Sequence, residues 1–426
     1  MPFVLMERTL AATLNASEAM ARVWDVAIVG AGPAGALAAR QVAQQGAAVL
    51  LVDRADFPRW KVCGCCLNPA ALSVLNHVGL GHLPAQLGAR PLDRIHLAAG
   101  GRSADCSIPA GASLSREALD AALIEAAIAS GAQFLPHTEA ALAPSKPSPS
   151  DADRKTSSQL SEFRALHLRR HETSVTVQAR VVIAAEGLAG RLLHDEPEID
   201  MRITAGSRMG AGAVLDNASP DFEDGVIYMA SGHDGYVGMV RLEDGRLDVA
   251  AALDRDSVRR SGHPGALAVS ILHEAGMPVP TGLNEATWRG TPPLTRRPAQ
   301  LYAERLLVVG DAAGYIEPFT GEGMAWALAG AAAVAPCAVA GASHWSQDIG
   351  RDWQARHHGL IQRRQHVCHA VSRLLRRPRW CALAVRVLKY SPRLMTPVVR
   401  AIHRPFIDLP LAANARSAPD FLRSRR

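Results

Sequence analysis

The chain has 426 residues, 48% of them hydrophobic and 20% charged, with a formal net charge of +6. That length and apolar content suit a large soluble globular protein with two cores, and seven cysteines, odd in number and spread over a long chain, argue against a disulfide framework. The charge is uneven, because Arg351–Arg426 holds 17 Lys and Arg against 3 Asp, so this basic tail nets +14 and the first 350 residues net −8.

Along Met1 to Arg22 the apolar pieces are short and Glu7 and Arg8 interrupt them. The segment does not read as a secretory signal, Met6 and Met20 offer other starts, and a cytoplasmic location is expected. From Val23 the chain reads VWDVAIVGAGPAGALAARQVAQQGAAVLLVD: strand, glycine turn, small-residue helix, second strand, acid. Gly30, Gly32 and Gly35 form G-x-G-x-x-G, Pro33 and Ala34 open the helix, and Asp53, followed by Arg54, stands 18 residues beyond Gly35. Bare glycine admits a pyrophosphate, a helix N-terminus offers free N–H groups, and an acid at the end of the second strand accepts from a ribose hydroxyl. An adenine dinucleotide site follows, but the glycines do not choose between FAD and NAD(P). Arg40, on the same helix, reads as a surface charge.

Beyond Asp53 comes RADFPRWKVCGCCLNPAAL, in which Cys63-Gly-Cys-Cys66 is formally C-x-x-C. Zinc would need a second pair, and His77 and His82 lack ligand spacing, so no metal is expected. A thioredoxin-like dithiol, plain packing, and a reactive Cys63 beside Arg59 or Lys61 all remain open. Arg116 heads a helical pattern carrying Leu119, Leu123, Ile124 and Ala127 on one face, with Gly131 as stop. Residues 143–160 form a Ser/Pro/charged stretch too polar to pack, expected to be a disordered insertion. Val181–Arg191 reads VVIAAEGLAGR, and GVIYMA, GYVGMVRL and RLDVAAAL farther on read as hairpin strands. Arg305–Leu328 then reads RLLVVGDAAGYIEPFTGEGMAWAL, a strand running through a Gly/Pro loop into a helix. Residues 323–342 are 20 uncharged positions, long enough to span a bilayer, but their Ala/Gly content and Pro336 favour a buried helix.

These segments resemble the large flavoprotein class that includes p-hydroxybenzoate hydroxylase, geranylgeranyl reductases and flavin halogenases. The resemblance implies FAD as the tightly bound cofactor, with Gly310 and Asp311 as the GD pair and Asp311 on the ribityl chain. It also implies that Glu186 and Gly187 stand at the class's DG pair, Glu replacing Asp, and that Arg116 reaches the FAD phosphates or ribose. Gly314 after Ala313 and the run Gly321, Glu322, Gly323 and Met324 are similar to geranylgeranyl reductases. Cys63 falls at their flavin-side cysteine, with Cys65 and Cys66 where that pattern has glycines. Tyr236 stands on their substrate-wall strand, without the pattern's Trp, Pro and Lys.

The expected fold is α/β: a discontinuous, three-layer, Rossmann-like FAD-binding domain (22–90, 111–190, 299–341), an antiparallel-sheet substrate domain (195–298) and a basic helical region (346–426). The resemblance implies an FAD-dependent oxidoreductase that reduces a carbon–carbon double bond of an isoprenoid, lipid or polyketide-type substrate, with Cys63 and Tyr236 as catalytic residues. Cys63 would be a proton donor or a substrate contact. Hydroxylation of an aromatic or polyketide substrate through a C4a-hydroperoxide is the alternative, and a non-catalytic flavin redox sensor is another. No separate NAD(P)H motif is present, so NAD(P)H is expected only as a transient donor. In the tail, Leu360, Val367, Val371, Leu374 and Leu375 recur near helical spacing among Arg363, Arg364, Arg373, Arg376 and Arg377. This fits a helical lid or a peripheral helix at the inner face of the membrane, whereas no nucleic-acid motif appears.

Overall fold

The strands Val23–Val29 and Val49–Val52 are apolar runs because their sheet is covered on both faces. In the computed structural model, which describes residues 9–143, 162–216, 220–317, 319, 321–406 and 409, these strands are parallel, with Val26 opposite Val49. The parallel core runs Leu306–Val308, Thr173–Ala184, Val23–Val29, Val49–Val52, Gln133–Leu135. Three helices build on it: Pro33–Ala43 packs against both Arg116–Ala129 and Gly323–Ser343. The small side chains of the first helix make this close packing feasible. Gly323–Ser343 has the length and apolarity of a membrane span, yet 78% of its apolar window is buried inside the fold, as expected of a core helix.

A second sheet runs Arg289–Pro293, Met209–Leu215, Leu247–Leu253, Gly235–Arg241, Val226–Gly232, Arg90–Ala99, Arg102–Ser113, Cys66–Leu67. It is antiparallel except where Val226–Gly232 runs alongside Arg90–Ala99. The expected hairpin strands are its centre, but the sheet also takes strands from residues 66–67 and 90–113, outside the 195–298 segment. Alternation splits its side chains: Val237 joins the core under helix Pro264–Ala275, and Tyr236 faces the other way, toward the helix Pro378–Tyr390. Arg40 is not a surface charge, since its guanidinium donates to the Val78 carbonyl at 2.8 Å and to Gln41 at 2.7 Å. The insertion beyond Ala143 lies outside the described residues.

One buried ion network ties these parts together. Glu317, 1% exposed, accepts from Arg208 at 2.9 Å and from Arg376 at 3.2 Å. Arg208 belongs to the lead-in of the second sheet, Arg376 follows the helix Arg363–Leu375, and Arg376 also donates to the Gly206 carbonyl at 2.8 Å. Removing one member leaves charge buried without its partner, so Glu317→Ala is expected to cost about 3–5 kcal/mol in denaturant unfolding. A loss below about 1 kcal/mol, the level of a surface pair, would count against the network as a structural tie.

Candidate cofactor and active site

A cavity of about 1320 Å³ is lined from both sheets, by Gly32, Asp53 and Gly187 toward one end and by Ile95, Met229 and Tyr236 toward the other. Single-ligand pockets are about 300–1,000 Å³, so it has room for a cofactor and a substrate together.

At the glycine turn, the three glycines divide their work. A Cβ on Gly30, whose φ is +103°, would meet the Ala185 oxygen at 2.4 Å, and one on Gly35 would meet the Gly30 oxygen at 1.7 Å. These two allow chain to pack on chain, and Gly35 does not line the cavity. Gly32 does, and a Cβ there would stand 3.5 Å from Arg116 and 3.8 Å from Arg59. Pro33 is the first residue of the helix, whose opening N–H groups lack intrahelical partners.

Arg116 is buried and gripped by both oxygens of Asp120, each at 2.8 Å. Arg59 lies 3.6 Å from the same carboxylate and 3.9 Å from Asp53, and its buried Nε has no partner among the described residues. Lys61 Nζ is 2.9 Å from where a Cβ on Gly187 would stand, and burial, then Arg116 and Arg59, push its pKa down. Three crowded cations beside a helix N-terminus, one with an unused donor, fit the pyrophosphate of FAD. Asp120 and the two loop cations were missed as anion-site residues; the four-residue step from Arg116 to Asp120 on one helix was the available signal.

Asp53 braces the glycine turn by accepting from the Ala31 N–H at 2.7 Å and the Ala55 N–H at 2.8 Å, and each oxygen keeps a lone pair for a ribose hydroxyl. Arg54 is exposed at the cavity wall. Glu186 turns back into its own loop, where it accepts from the Leu192 N–H at 2.7 Å, and burial raises its pKa. The longer acid thus fits the DG position by folding over Gly190, whose Cβ position it would overlap at 2.5 Å. Gly310, at φ +68°, brings the Gly310–Ala313 turn onto Ala34, and Asp311 faces Lys61 and Gly187 with its pKa raised by burial. Gly321, Gly323 and Met324 line the cavity, whereas Pro318 lies outside the described residues. Glu322 is a correction: it is buried off the cavity wall and accepts from the Cys368 thiol at 2.7 Å on the C-terminal helix Arg363–Leu375.

The cysteine loop keeps a glycine-like path, since Cys65 holds φ at +47° where the related pattern has glycine. Cys63 is lowered to about 6 by hydrogen bonding from the Cys65 thiol and by the Arg116 charge, against the effect of burial. Cys65 moves the opposite way, and burial pushes Cys66 up. Cys63 is thus biased toward its thiolate form, and the cation acting on it is Arg116 rather than Arg59 or Lys61. Tyr236 is 4% exposed, lies edge-on to Phe319 at 5.2 Å between centroids, and keeps its hydroxyl without a partner among the described residues. Burial raises its pKa, so the phenol holds its proton.

The parallel sheet with its glycine turn, the GD turn and the cationic seat between them define an FAD-binding protein. The chain belongs to the FAD binding domain family, which it matches over residues 23–336. It is 26% identical over 337 residues to conditioned medium factor receptor 1 of Dictyostelium discoideum, covering 72% of this chain and 62% of that protein. It is 53% identical to menaquinone reductase of Mycobacterium tuberculosis, but over only 57 residues, 13% of this chain and 14% of that one. The chain thus spans less than two thirds of either relative. It is 27% identical over 338 residues to digeranylgeranylglycerophospholipid reductase 1 of Methanopyrus kandleri, 72% of this chain and 77% of that protein. Among solved structures, PqsL, a probable FAD-dependent monooxygenase from Pseudomonas aeruginosa, superposes with a TM-score of 0.61 at 19% identity, over 85% of this chain and 99% of that one. That likeness concerns the fold.

Asp311→Ala is expected to lower the flavin retained per protein after gel filtration; full occupancy would remove Asp311 from cofactor binding. Iodoacetamide labelling of Cys63 should rise with pH through about 6 as the thiolate forms and then level off. In Arg116→Gln the midpoint should move up, and an unmoved midpoint would mean that Arg116 does not stabilise the thiolate.

Proposed function

We propose that this oxidoreductase reduces a carbon–carbon double bond in a long apolar substrate of lipid or isoprenoid type. The observation that carries the reading is the two-ended cavity: cations and glycines at one end, Ile95, Leu97, Met229, Leu375 and Val385 at the other, with Cys63 and Tyr236 in the same wall. Two relatives are named as reductases, of a digeranylgeranylglycerophospholipid and of menaquinone, which supports this class of reaction.

Once reduced by an external two-electron donor such as NAD(P)H, FAD would supply the hydride, and the protein contributes binding, orientation and exclusion of water. Arg59, Lys61 and Arg116 would hold the phosphates, and Asp53 and Asp311 the sugar and ribityl hydroxyls. Saturating a double bond also takes one proton. Cys63 is held toward its thiolate by the Cys65 thiol and Arg116, so the Tyr236 Oη, protonated, on the cavity wall and without a hydrogen-bond partner among the described residues, is the group that carries a proton toward the second carbon. Cys63 then acts as a fixed negative charge beside Arg116.

Hydroxylation of an aromatic or polyketide substrate is the second reading. Gly238, standing where the reductase pattern has Trp, lines the cavity and removes a ring from that wall.

Holoprotein reduced without oxygen and mixed with a geranylgeranyl lipid should return its flavin to the oxidised spectrum and yield a lipid heavier by two hydrogens. No reoxidation by such lipids, together with an oxygenated aromatic product in air, would replace this reading with the second. Tyr236→Phe should keep its FAD and lose about a hundredfold in turnover. Unchanged turnover would take the proton away from Tyr236.

A further inference from the structure

Seven of the ten exposed large hydrophobic side chains among the described residues lie between Leu374 and Val398, so the fold leaves one apolar area uncovered rather than scattered single residues. The helix Pro378–Tyr390 shows why. Cys381 and Val385, four apart, are its buried stripe, and Trp380, Leu383, Val387 and Tyr390 form a second apolar stripe at the same helical spacing, with Tyr390 77% exposed. Leu394 and Val398 extend that area into the next turns.

Two further observations indicate what covers it. Trp380, Leu383, Val387, Leu394 and Val398 also line the cavity, so the uncovered area is the cavity's rim. Between Trp353 and Phe406 the chain carries 12 Lys and Arg and no Asp or Glu, and Arg379, Arg386, Lys389, Arg393 and Arg400 are all exposed around the stripe. Apolar side chains with Trp and Tyr among them, ringed by flexible cations, match the interface of an anionic bilayer, where rings sit at headgroup depth and basic stems reach phosphates. A second copy of the same face would bring like charges together instead.

We infer that the helices from Arg363 to Ile402 dock this protein on anionic membrane, with the cavity mouth opening into the lipid. Substrate then enters from the bilayer without crossing water; that part rests on the apolar-substrate reading, and the docking does not.

The test uses full-length holoprotein sedimented with vesicles of phosphatidylcholine alone or mixed with phosphatidylglycerol. Binding to the mixed vesicles is expected, weakening as salt rises. Tyr390→Glu and the double variant Arg386→Glu/Lys389→Glu, outside the cavity wall, should each lower it about tenfold or more with flavin content and melting temperature unchanged. Both variants should still turn over detergent-dispersed substrate. No vesicle binding by the unaltered protein would overturn the docking, as would full binding by the variants. A dimer in sedimentation velocity that Tyr390→Glu converts to monomer would assign the face to self-association instead. Vesicle binding as expected, with prenyl lipids inert as substrates, would leave the docking standing and remove the reductase reading alone.

Discussion

The helix Pro33–Ala43 lies so close to the turn that launches it that a methyl group on Gly35 would sit 1.7 Å from the Gly30 carbonyl oxygen. Gly30 in turn presses on Ala185, at the end of the neighbouring strand Thr173–Ala184. No side chain fits at either contact. Their combined effect is to bring three chain segments distant in sequence to one point: the helix N-terminus, the Glu186 loop and, through Gly310 against Ala34, the Asp311 turn. Arg59, Lys61 and Arg116 then crowd into the space in front of that point, which they would not do without an anion to receive or carboxylates to share. Asp120 and Asp53 provide the sharing.

Much of this was legible in the chain because it is written locally. The glycine turn, Asp53, the GD turn and the buried helix Gly323–Ser343 each depend on residues near one another, and alternation marked the strands around Tyr236. What sequence could not reveal depended on pairing over distance. The strands Arg90–Ala99 and Arg102–Ser113 carry no sign that they join the sheet of Val226–Gly232, since a sheet edge is chosen by tertiary packing. Glu322 looked like a cofactor residue by motif, but side-chain direction, not motif, decides contact, and its carboxylate meets Cys368. For Cys63, the shift rests first on the neighbouring Cys65 thiol and then on which of several nearby cations shares its pocket, and neither side-chain direction is written in the sequence.

The two ends of the cavity follow opposite physics. The cofactor end concentrates charge and satisfies it with fixed partners, so its energetic role is electrostatic. The substrate end is walled mostly by apolar side chains, Ile95, Leu97, Met229 and Val385 among them, and favours a partner whose affinity comes from leaving water. Glu317, off the cavity wall, joins Arg208 at the lead-in of a sheet strand to Arg376 from the C-terminal helices.

Parallel pairing also sets an order of assembly. Val23 has to wait for Gln178 before its strand gains that neighbour, and Val308 closes the same sheet beside Ala184 later still. Contacts so remote in sequence form slowly, because loop closure comes before reward. The rim from Trp380 to Val398 lies C-terminal to every strand of both sheets, so it leaves the ribosome after them. While the chain is still emerging from a ribosome, the crevice that will hold the dinucleotide therefore stands open on the side that the C-terminal helices later cover, giving a bulky cofactor a way in before the cavity acquires its final wall.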